Sequence, residues 1–292
     1  MSLLVKDILI IGKNQLEVAG IMDPKIDAEL LFCHMMGIDK SKLFLNWSQE
    51  LSDTLCEKYF TLLAERTSGV PLQYITGWQE FMGLRFAVNG RVLIPRQDTE
   101  SLVETALMAI SDRKLKKVLD LCTGSGVIAI SIDRHCAVSD IKTKLEVIAS
   151  DISAEALKVA KQNAQALGAS NIKFVQGDLF APFKKKFRNS KFNLIISNPP
   201  YIKSDVIPTL QTEVKEHEPL VALDGGADGL DFLKRIITEA PLYLKEKGML
   251  LLEIGFDQAA DIKKLAAEID TYHTVEVYKD LAGRDRVAVL CI

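Results

Sequence analysis

Apolar residues recur at helical spacing through the first seventy or so positions, and then the rhythm changes. Asp23 and Pro24 mark a helix start, with a capping carboxylate followed by proline at the first helical position. Leu30, Leu31, Cys33 and His34 supply its face, and Gly37 stops it. Ser52 to Thr54 open another helix, with Glu57 as a capping-box partner three residues beyond Thr54. Leu55, Tyr59, Leu62 and Leu63 follow at helical spacing until Gly69 and Pro71 close the segment. Residues 1–73 thus read as a small helical bundle with no catalytic signal.

Between 74 and 95 the texture becomes that of a β-hairpin. Gly77, Gly83 and Gly90 punctuate short aromatic and aliphatic stretches, a connector to the remainder of the chain. From residue 96 to 292 helical and strand patterns alternate. A helix is expected over 99–111, a strand over 117–121, a helix from about Gly126, a strand over 145–150 and a helix over 154–167. Further strands are expected at 172–176, 192–197, 249–254, 274–278 and 286–291. Strands that are apolar throughout and alternate with helices predict an α/β fold, a mainly parallel sheet covered on both faces. The last two strands are separated by too short a stretch for a parallel crossover, so an antiparallel strand ends the sheet. The basic run at 184–186 reads as a solvated loop.

Composition adjusts this picture little. The 292 residues are 48% hydrophobic and 26% charged, which excludes a mostly disordered chain. Thirty-six basic against 39 acidic residues give a net charge of −3. A general nucleic-acid or anionic-membrane binder carries a basic excess, so direct nucleic-acid binding is not expected. No apolar run approaches the roughly 18 residues of a membrane span. Lys6 and Asp7 interrupt the N-terminal apolar stretch, and no small-residue cleavage site follows. Five scattered cysteines without a Cys-x-x-Cys pair argue against disulfides and against a metal site, and point to a reducing cytoplasm. No chemistry is assigned to His34, His135, His217 or His273.

Candidate chemistry gathers at the carboxyl ends of the strands. Asp120-Leu121-Cys122-Thr123-Gly124-Ser125-Gly126-Val127-Ile128-Ala129 lies where a strand turns into a helix. Gly124 and Gly126 let the backbone approach a ligand, and a helix N-terminus favours an anionic group. The next strand ends at Asp151, where a carboxylate can accept from the two hydroxyls of a ribose. Asp178, in Gly177-Asp178-Leu179-Phe180, offers a second carboxylate to an adenine amino group, with Leu179 or Phe180 against the ring. The loop alone is not specific. Gly124-x-Gly126-x-x-Ala129 also satisfies the dinucleotide fingerprint, so a nicotinamide oxidoreductase stays open.

The segment Ile195-Ile196-Ser197-Asn198-Pro199-Pro200-Tyr201 says more. Each proline fixes φ and removes an N–H donor, and each residue before a proline is pushed into extended backbone. The result is a stiff corner of carbonyl acceptors, joined by the Asn198 side-chain oxygen. Such a corner suits an –NH2 group whose lone pair is delocalised into a carbonyl or an aromatic ring. Accepting its two hydrogens orients the nitrogen and stabilises the positive charge that builds as it attacks an electrophilic carbon. Tyr201 offers a flat face to the planar group. A sulfonium methyl donor carrying adenine and ribose fits both this corner and the two carboxylates.

At these residues the chain resembles the class I S-adenosylmethionine-dependent methyltransferases, with their Rossmann-like sheet. More narrowly it resembles the peptide chain release factor glutamine methyltransferases. The likeness spans essentially the whole chain. It is carried by residues 71–77, Leu93-Ile94-Pro95-Arg96-Gln97-Asp98-Thr99-Glu100, 120–129, 151–153, 177–180, 198–201, 218–230, 252–255 and 280–286. The resemblance implies methylation of the glutamine side-chain amide nitrogen (N5) in the Gly-Gly-Gln loop of class 1 release factors; a monomer is expected. It implies that Cys122, Thr123, Gly124, Ser125 and Gly126 line the donor, that Asp151 takes the ribose, and that Asp178 and Leu179 take the adenine. Asn198 borders the donor and, with the Pro199 carbonyl, holds the glutamine amide, while Pro200 and Tyr201 complete the corner.

Two positions depart from the family pattern. Cys122 stands where glycine is usual, which a negative φ would tolerate with at most a modest effect on donor affinity. Gln97-Asp98 replaces Pro-Glu and keeps the acid. Two further readings stay open beside the oxidoreductase: an amino methyltransferase acting on adenine or guanine in DNA or RNA, and a non-catalytic binding protein.

Overall fold

The computed structural model describes residues 3–138, 145–185 and 191–292. The chain divides into two compact units, one made of Met1–Trp78 with Gln211–His217, the other of Gln79–Leu210 with Glu218–Ile292.

In the first unit, strand β1 (Leu3–Leu4) precedes helices α1 (Val5–Val18), α2 (Pro24–Met36) and α3 (Lys40–Leu43). Strand β2 (Glu50–Leu51), which pairs with β1, leads into α4 (Asp53–Thr67) and α5 (Leu72–Thr76). Gly37 ends α2 in the left-handed conformation, as its position predicts. The details of both helix starts differ from expectation. Asp23 occupies the cap position of α2 without a capping hydrogen bond. At α4 Ser52 is the cap and accepts from the Leu55 N–H at 3.4 Å, so the capping-box position falls on Leu55 and Glu57 lies beyond it. His34 is exposed, and the buried face of α2 runs instead through Ala28, Leu31, Phe32 and Cys33. Arg66 is 6% exposed and explains why 211–217 joins this unit. Its guanidinium donates to Asp27 at 2.7 Å, to the Val70 carbonyl at 3.2 Å and to Glu213 at 3.1 Å.

A hairpin of β3 (Trp78–Phe81) and β4 (Leu84–Ala87), which belongs to the second unit from Gln79 on, turns on Met82 and Gly83, both at positive φ. Then come α6 (Asp98–Arg113), β5 (Lys117–Leu121), α7 (Val127–Val138), β6 (Glu146–Asp151) and α8 (Ala154–Ala166). β7 (Lys173–Gln176), α9 (Ala181–Lys185) and β8 (Phe192–Ser197) follow; α10 (Thr212–His217) belongs to the helical unit. The chain closes with α11 (Asp231–Glu239), β9 (Leu244–Glu253), α12 (Ala259–Ala267), β10 (Thr274–Lys279) and β11 (Asp285–Cys291). Lys184 falls in α9 and pairs with Glu239 rather than lying in a loop, and Lys186 lies outside the described residues.

The large sheet has seven strands in the order β10-β11-β9-β8-β5-β6-β7. β5 to β9 are parallel, and β11 is antiparallel to both β9 and β10. Alternation along each strand explains the two cores. Val118, Leu194, Ile196, Met249 and Leu251 face one side and pack with Leu102, Val103, Ala106 and Ile110 of α6. Leu119, Ile195, Leu250 and Leu252 face the other and pack with Leu233, Ile236 and Ile237 of α11 and Ile262 of α12. From β5 the chain builds outward through β6 and β7, then returns to add β8 and β9 on the opposite side. The switch point is therefore between β5 and β8, where open α/β sheets bind ligands beyond the strands' carboxyl ends.

Candidate active site

Register brings the two informative loops together. Leu121, the last residue of β5, pairs with Ser197 of β8 and with Ser150 of β6. The buried Ser197 hydroxyl donates to the Leu121 carbonyl at 2.8 Å, locking the strand ends side by side. The loop after β5 and the corner after β8 thus leave the sheet as neighbours.

The glycine loop is organised by carboxylates behind it. Asp120 is fully buried and accepts from the Thr123 hydroxyl at 2.6 Å, and burial pushes its pKa up to about 7. Asp151 accepts from the Gly124 N–H and the Ser153 N–H, each at 2.8 Å, while burial raises its pKa above the usual carboxylate range. The loop's tight path uses two left-handed glycines. At Gly126 (φ +84) an added Cβ would lie 2.8 Å from Ile130 and 3.1 Å from Ala160, so loop and α8 touch only because the side chain is absent. At Gly124 (φ +54) an added Cβ would meet nothing within 4 Å. Its backbone faces open space.

That space is a cleft of about 750 Å³ counted to its open mouth. Cys122, Gly124, Asp151, Asp178, Leu179, Asn198 and Pro200, all candidates from the sequence, lie on its wall. Residues without a forecast role join them: Ile152, Val92 and Leu93 ahead of α6, Val221 and Ala222 on the rim, and Phe232 of α11. Thr123, Ser125, Gly126, Pro199 and Tyr201 are not on the wall. Thr123 and Ser125 are buried, and Gly126 acts through packing. Asp178 reaches the cleft already paired with Arg235 of α11 at 2.6 Å.

Two wall residues carry strained backbone. Cys122 has φ +57 and Leu179 φ +45, a region that costs a non-glycine residue about 1–3 kcal/mol. The negative φ under which cysteine at 122 is innocuous is therefore not what the loop adopts. Cys122 itself holds a left-handed turn, the conformation glycine adopts without strain.

The acceptor corner is held from behind. Tyr201 is turned away from the cleft, its hydroxyl donating to Glu253 of β9 at 3.0 Å and accepting from Arg286 of β11 at 3.4 Å. Arg286 also pairs with Asp280 at 3.2 Å and with Asp98 at 3.1 Å, so the acid retained at position 98 has a partner. The Tyr201 carbonyl accepts from Gln258 at 3.1 Å, and Ile202 is clamped between the Leu223 carbonyl and the Gly225 N–H. Asn198 donates through Nδ2 to the Thr99 hydroxyl at 3.2 Å, which leaves its Oδ1 as an acceptor. Thr99, Glu253 and Arg286 come from segments 52 to 99 residues away from their partners. No local pattern marks them, and only the family blocks at 93–100, 252–255 and 280–286 touch them.

An adenosyl sulfonium fits this wall. Gly124 leaves room against the backbone, Asp151 supplies a half-buried carboxylate with lone pairs for hydroxyls, and Ile152, Leu179 and Phe232 supply apolar surface for a base. Sheet order, switch-point loop and acceptor corner together define a class I S-adenosylmethionine-dependent methyltransferase. Residues 112–283 match the methyltransferase domain family, and residues 7–77 match the PrmC N-terminal domain.

The chain is 39% identical over 286 residues to the release factor glutamine methyltransferase of Clostridium acetobutylicum, covering 98% of this chain and 97% of that one. It is 40% identical over 263 residues to the protein of the same name from Bacillus subtilis, 89% and 88% of the two chains. The chain belongs to the release factor glutamine methyltransferase family. Among solved structures, the catalytic domain of hMettl16 in complex with MAT2A 3′UTR hairpin 6 shares the fold, with a TM-score of 0.53 at 16% identity over 84% of each chain.

Proposed function

We propose that this enzyme methylates the side-chain amide nitrogen (N5) of a glutamine in class 1 peptide chain release factors, the glutamine of their Gly-Gly-Gln motif. The observation that carries the reading is Asn198, whose Nδ2 is engaged by Thr99 so that Oδ1 remains an acceptor beside a cleft built for an adenosyl donor.

A glutamine amide is a sluggish nucleophile because its lone pair is delocalised into the carbonyl. In the proposed mechanism Asn198 Oδ1 and the Pro199 carbonyl each accept one amide hydrogen. They fix the nitrogen's direction and stabilise the positive charge it gains, worth about 2.7–4 kcal/mol for one preorganised group in comparable sites. Pro199 and Pro200 keep the corner rigid. Tyr201 contributes from behind, through its tether to Glu253 and Arg286. Backbone of Cys122 to Gly126, the Asp151 carboxylate, and Asp178 with Leu179 would hold the donor's methionine, ribose and adenine portions. S-adenosylmethionine supplies an electrophilic methyl on a sulfonium and leaves as S-adenosylhomocysteine. No strong general base is required, because the N-alkylated cationic amide is acidic and sheds its proton readily.

The division we assign to function is a helical module over 1–73, a connector over 74–95 and a catalytic domain over 96–292. Among the described residues no helix is long and apolar enough to cross a membrane. With bacterial relatives and a net charge of −3, we place the reaction in the cytoplasm, on a monomer whose partner is protein rather than nucleic acid. The test is mass spectrometry of a recombinant class 1 release factor incubated with the enzyme and labelled donor. The expected result is one added methyl on the peptide containing Gly-Gly-Gln; label on nucleic acid but none on the release factor would overturn the reading.

A further inference from the structure

We infer that Gln258 is a positioning residue for the acceptor corner: its side-chain amide caps the Tyr201 carbonyl and fixes the course of the chain as it leaves the two prolines. The inference rests on the proposed amide chemistry and deepens it, by naming what keeps the corner aimed.

A donor-free corner has a mechanical weakness. Pro199 and Pro200 fix their own φ, but they offer no N–H by which neighbouring segments could hold them. The corner is therefore anchored at its two ends. Before it, the Ser197 hydroxyl is tied to the Leu121 carbonyl at 2.8 Å. After it, the Tyr201 carbonyl accepts from Gln258 Nε2 at 3.1 Å.

Gln258 is 3% exposed and stands at the N-cap of α12, a position that favours Ser, Thr, Asp or Asn. Its side chain makes no capping hydrogen bond. The amide is turned instead toward three backbone groups of other segments. Besides the Tyr201 carbonyl, Nε2 donates to the Gly229 carbonyl at 3.1 Å, and Oε1 accepts from the Gly255 N–H at 2.8 Å. The Gln258 N–H donates back to the Gly255 carbonyl at 3.0 Å, which closes the turn after β9 on itself. Carbonyls only accept and a backbone N–H only donates, so these partners alone decide which way round the amide stands.

The backbone around Tyr201 is packed too closely to admit side chains. An added Cβ at Gly229 would lie 2.5 Å from the Tyr201 carbonyl oxygen and 2.9 Å from Gln258 Nε2. One at Gly225 would lie 2.8 Å from Tyr201 Cα. Gln258 thus closes the knot that joins the exit of the corner, the 225–229 loop and the end of β9. Its cap also keeps the Tyr201 carbonyl occupied. A substrate –NH2 has two hydrogens, and the two acceptors assigned to them, Asn198 Oδ1 and the Pro199 carbonyl, then meet no competition from that carbonyl. Without the cap the corner can shift, and a displacement of about 1 Å at a reacting centre costs up to about 100-fold in rate.

The experiment compares wild type with Gln258→Met, which keeps the length of the side chain and removes all three of its hydrogen bonds. A control, Asp257→Ala, loosens the same turn by breaking the exposed ion pair with Lys203 at 3.1 Å. A recombinant class 1 release factor is the acceptor and S-adenosylhomocysteine the binding probe. In Gln258→Met, kcat at saturating release factor and donor should fall about 10- to 100-fold, below the melting temperature of the variant. Its S-adenosylhomocysteine Kd, by calorimetry, should stay within about threefold, and Asp257→Ala should keep kcat within about twofold, as loss of a surface pair predicts. Gln258→Ala serves if Gln258→Met fails to fold by thermal melting. A wild-type kcat in the folded Gln258 variant, or an Asp257→Ala enzyme equally slow, would overturn the positioning role. So would a donor affinity that falls in step with kcat, the mark of a cleft that has loosened as a whole. A wild type that methylates no release factor would instead overturn the functional reading, so the two failures are told apart.

Discussion

Gly124 donates its backbone N–H to the Asp151 carboxylate at 2.8 Å, tying the loop after β5 to the end of β6. The same carboxylate receives the Ser153 N–H at 2.8 Å. Asp151 is therefore both a wall of the cleft and a brace of its glycine loop. Replacing it with alanine removes the acceptor proposed for the ribose and frees the loop. Donor binding should weaken by about 1.5–3 kcal/mol, the range for hydrogen bonds to a charged group. Calorimetry with S-adenosylhomocysteine checks this, and an unaltered affinity would exclude Asp151 from the donor site.

Gly126 presses against α8 through a missing side chain. Gly126→Ala places a methyl 2.8 Å from Ile130 and 3.1 Å from Ala160, in backbone at φ +84. Overpacking and left-handed strain each cost about 1–3 kcal/mol, so stability in denaturant should fall by at least that much. A variant as stable as wild type would show that the loop relaxes freely, contrary to a rigid cradle.

Asp120 gives the stability a pH signature. Its pKa is pushed up to about 7 from an ordinary 3.8, chiefly by burial. Between those values the folded state keeps a proton that the unfolded state has lost, so this group's contribution to stability falls as pH rises through that window. Asp120→Asn removes the titration. The free energy of unfolding of wild type relative to Asp120→Asn should therefore be larger, the fold more stable, at pH 4 than at pH 7.5. A gap that does not move with pH would contradict the assignment.

The sheet was legible because its strands are apolar on both faces, as burial under two helical layers requires, and because the short link before β11 forbids a parallel crossover. The cleft was legible where chemistry is local: the glycine loop, Asp151, Asp178 and Asn198 each sit at or just past a strand end. What escaped is long-range. Tyr201 reads as a flat face for substrate, yet its hydroxyl is drawn to Glu253, a partner 52 residues on that no spacing rule reveals. Arg235 on Asp178 and Phe232 on the wall depend on how α11 lies across the sheet. The return of 211–217 to the helical unit turns on Arg66 reaching Glu213, 147 residues away. The conformation of Cys122 follows from the tight exit of β5, and sequence could state only the condition under which cysteine is tolerated there.

The measurement that tests the acceptor corner most directly is the split between catalysis and donor binding in Asn198→Ala. With Asn198 Oδ1 accepting an amide hydrogen as charge builds, kcat for a release factor should drop about 100-fold or more. The S-adenosylhomocysteine affinity of the same variant should change far less. A variant that methylates at the wild-type rate, or one whose slow rate is restored by raising donor concentration, would contradict the mechanism.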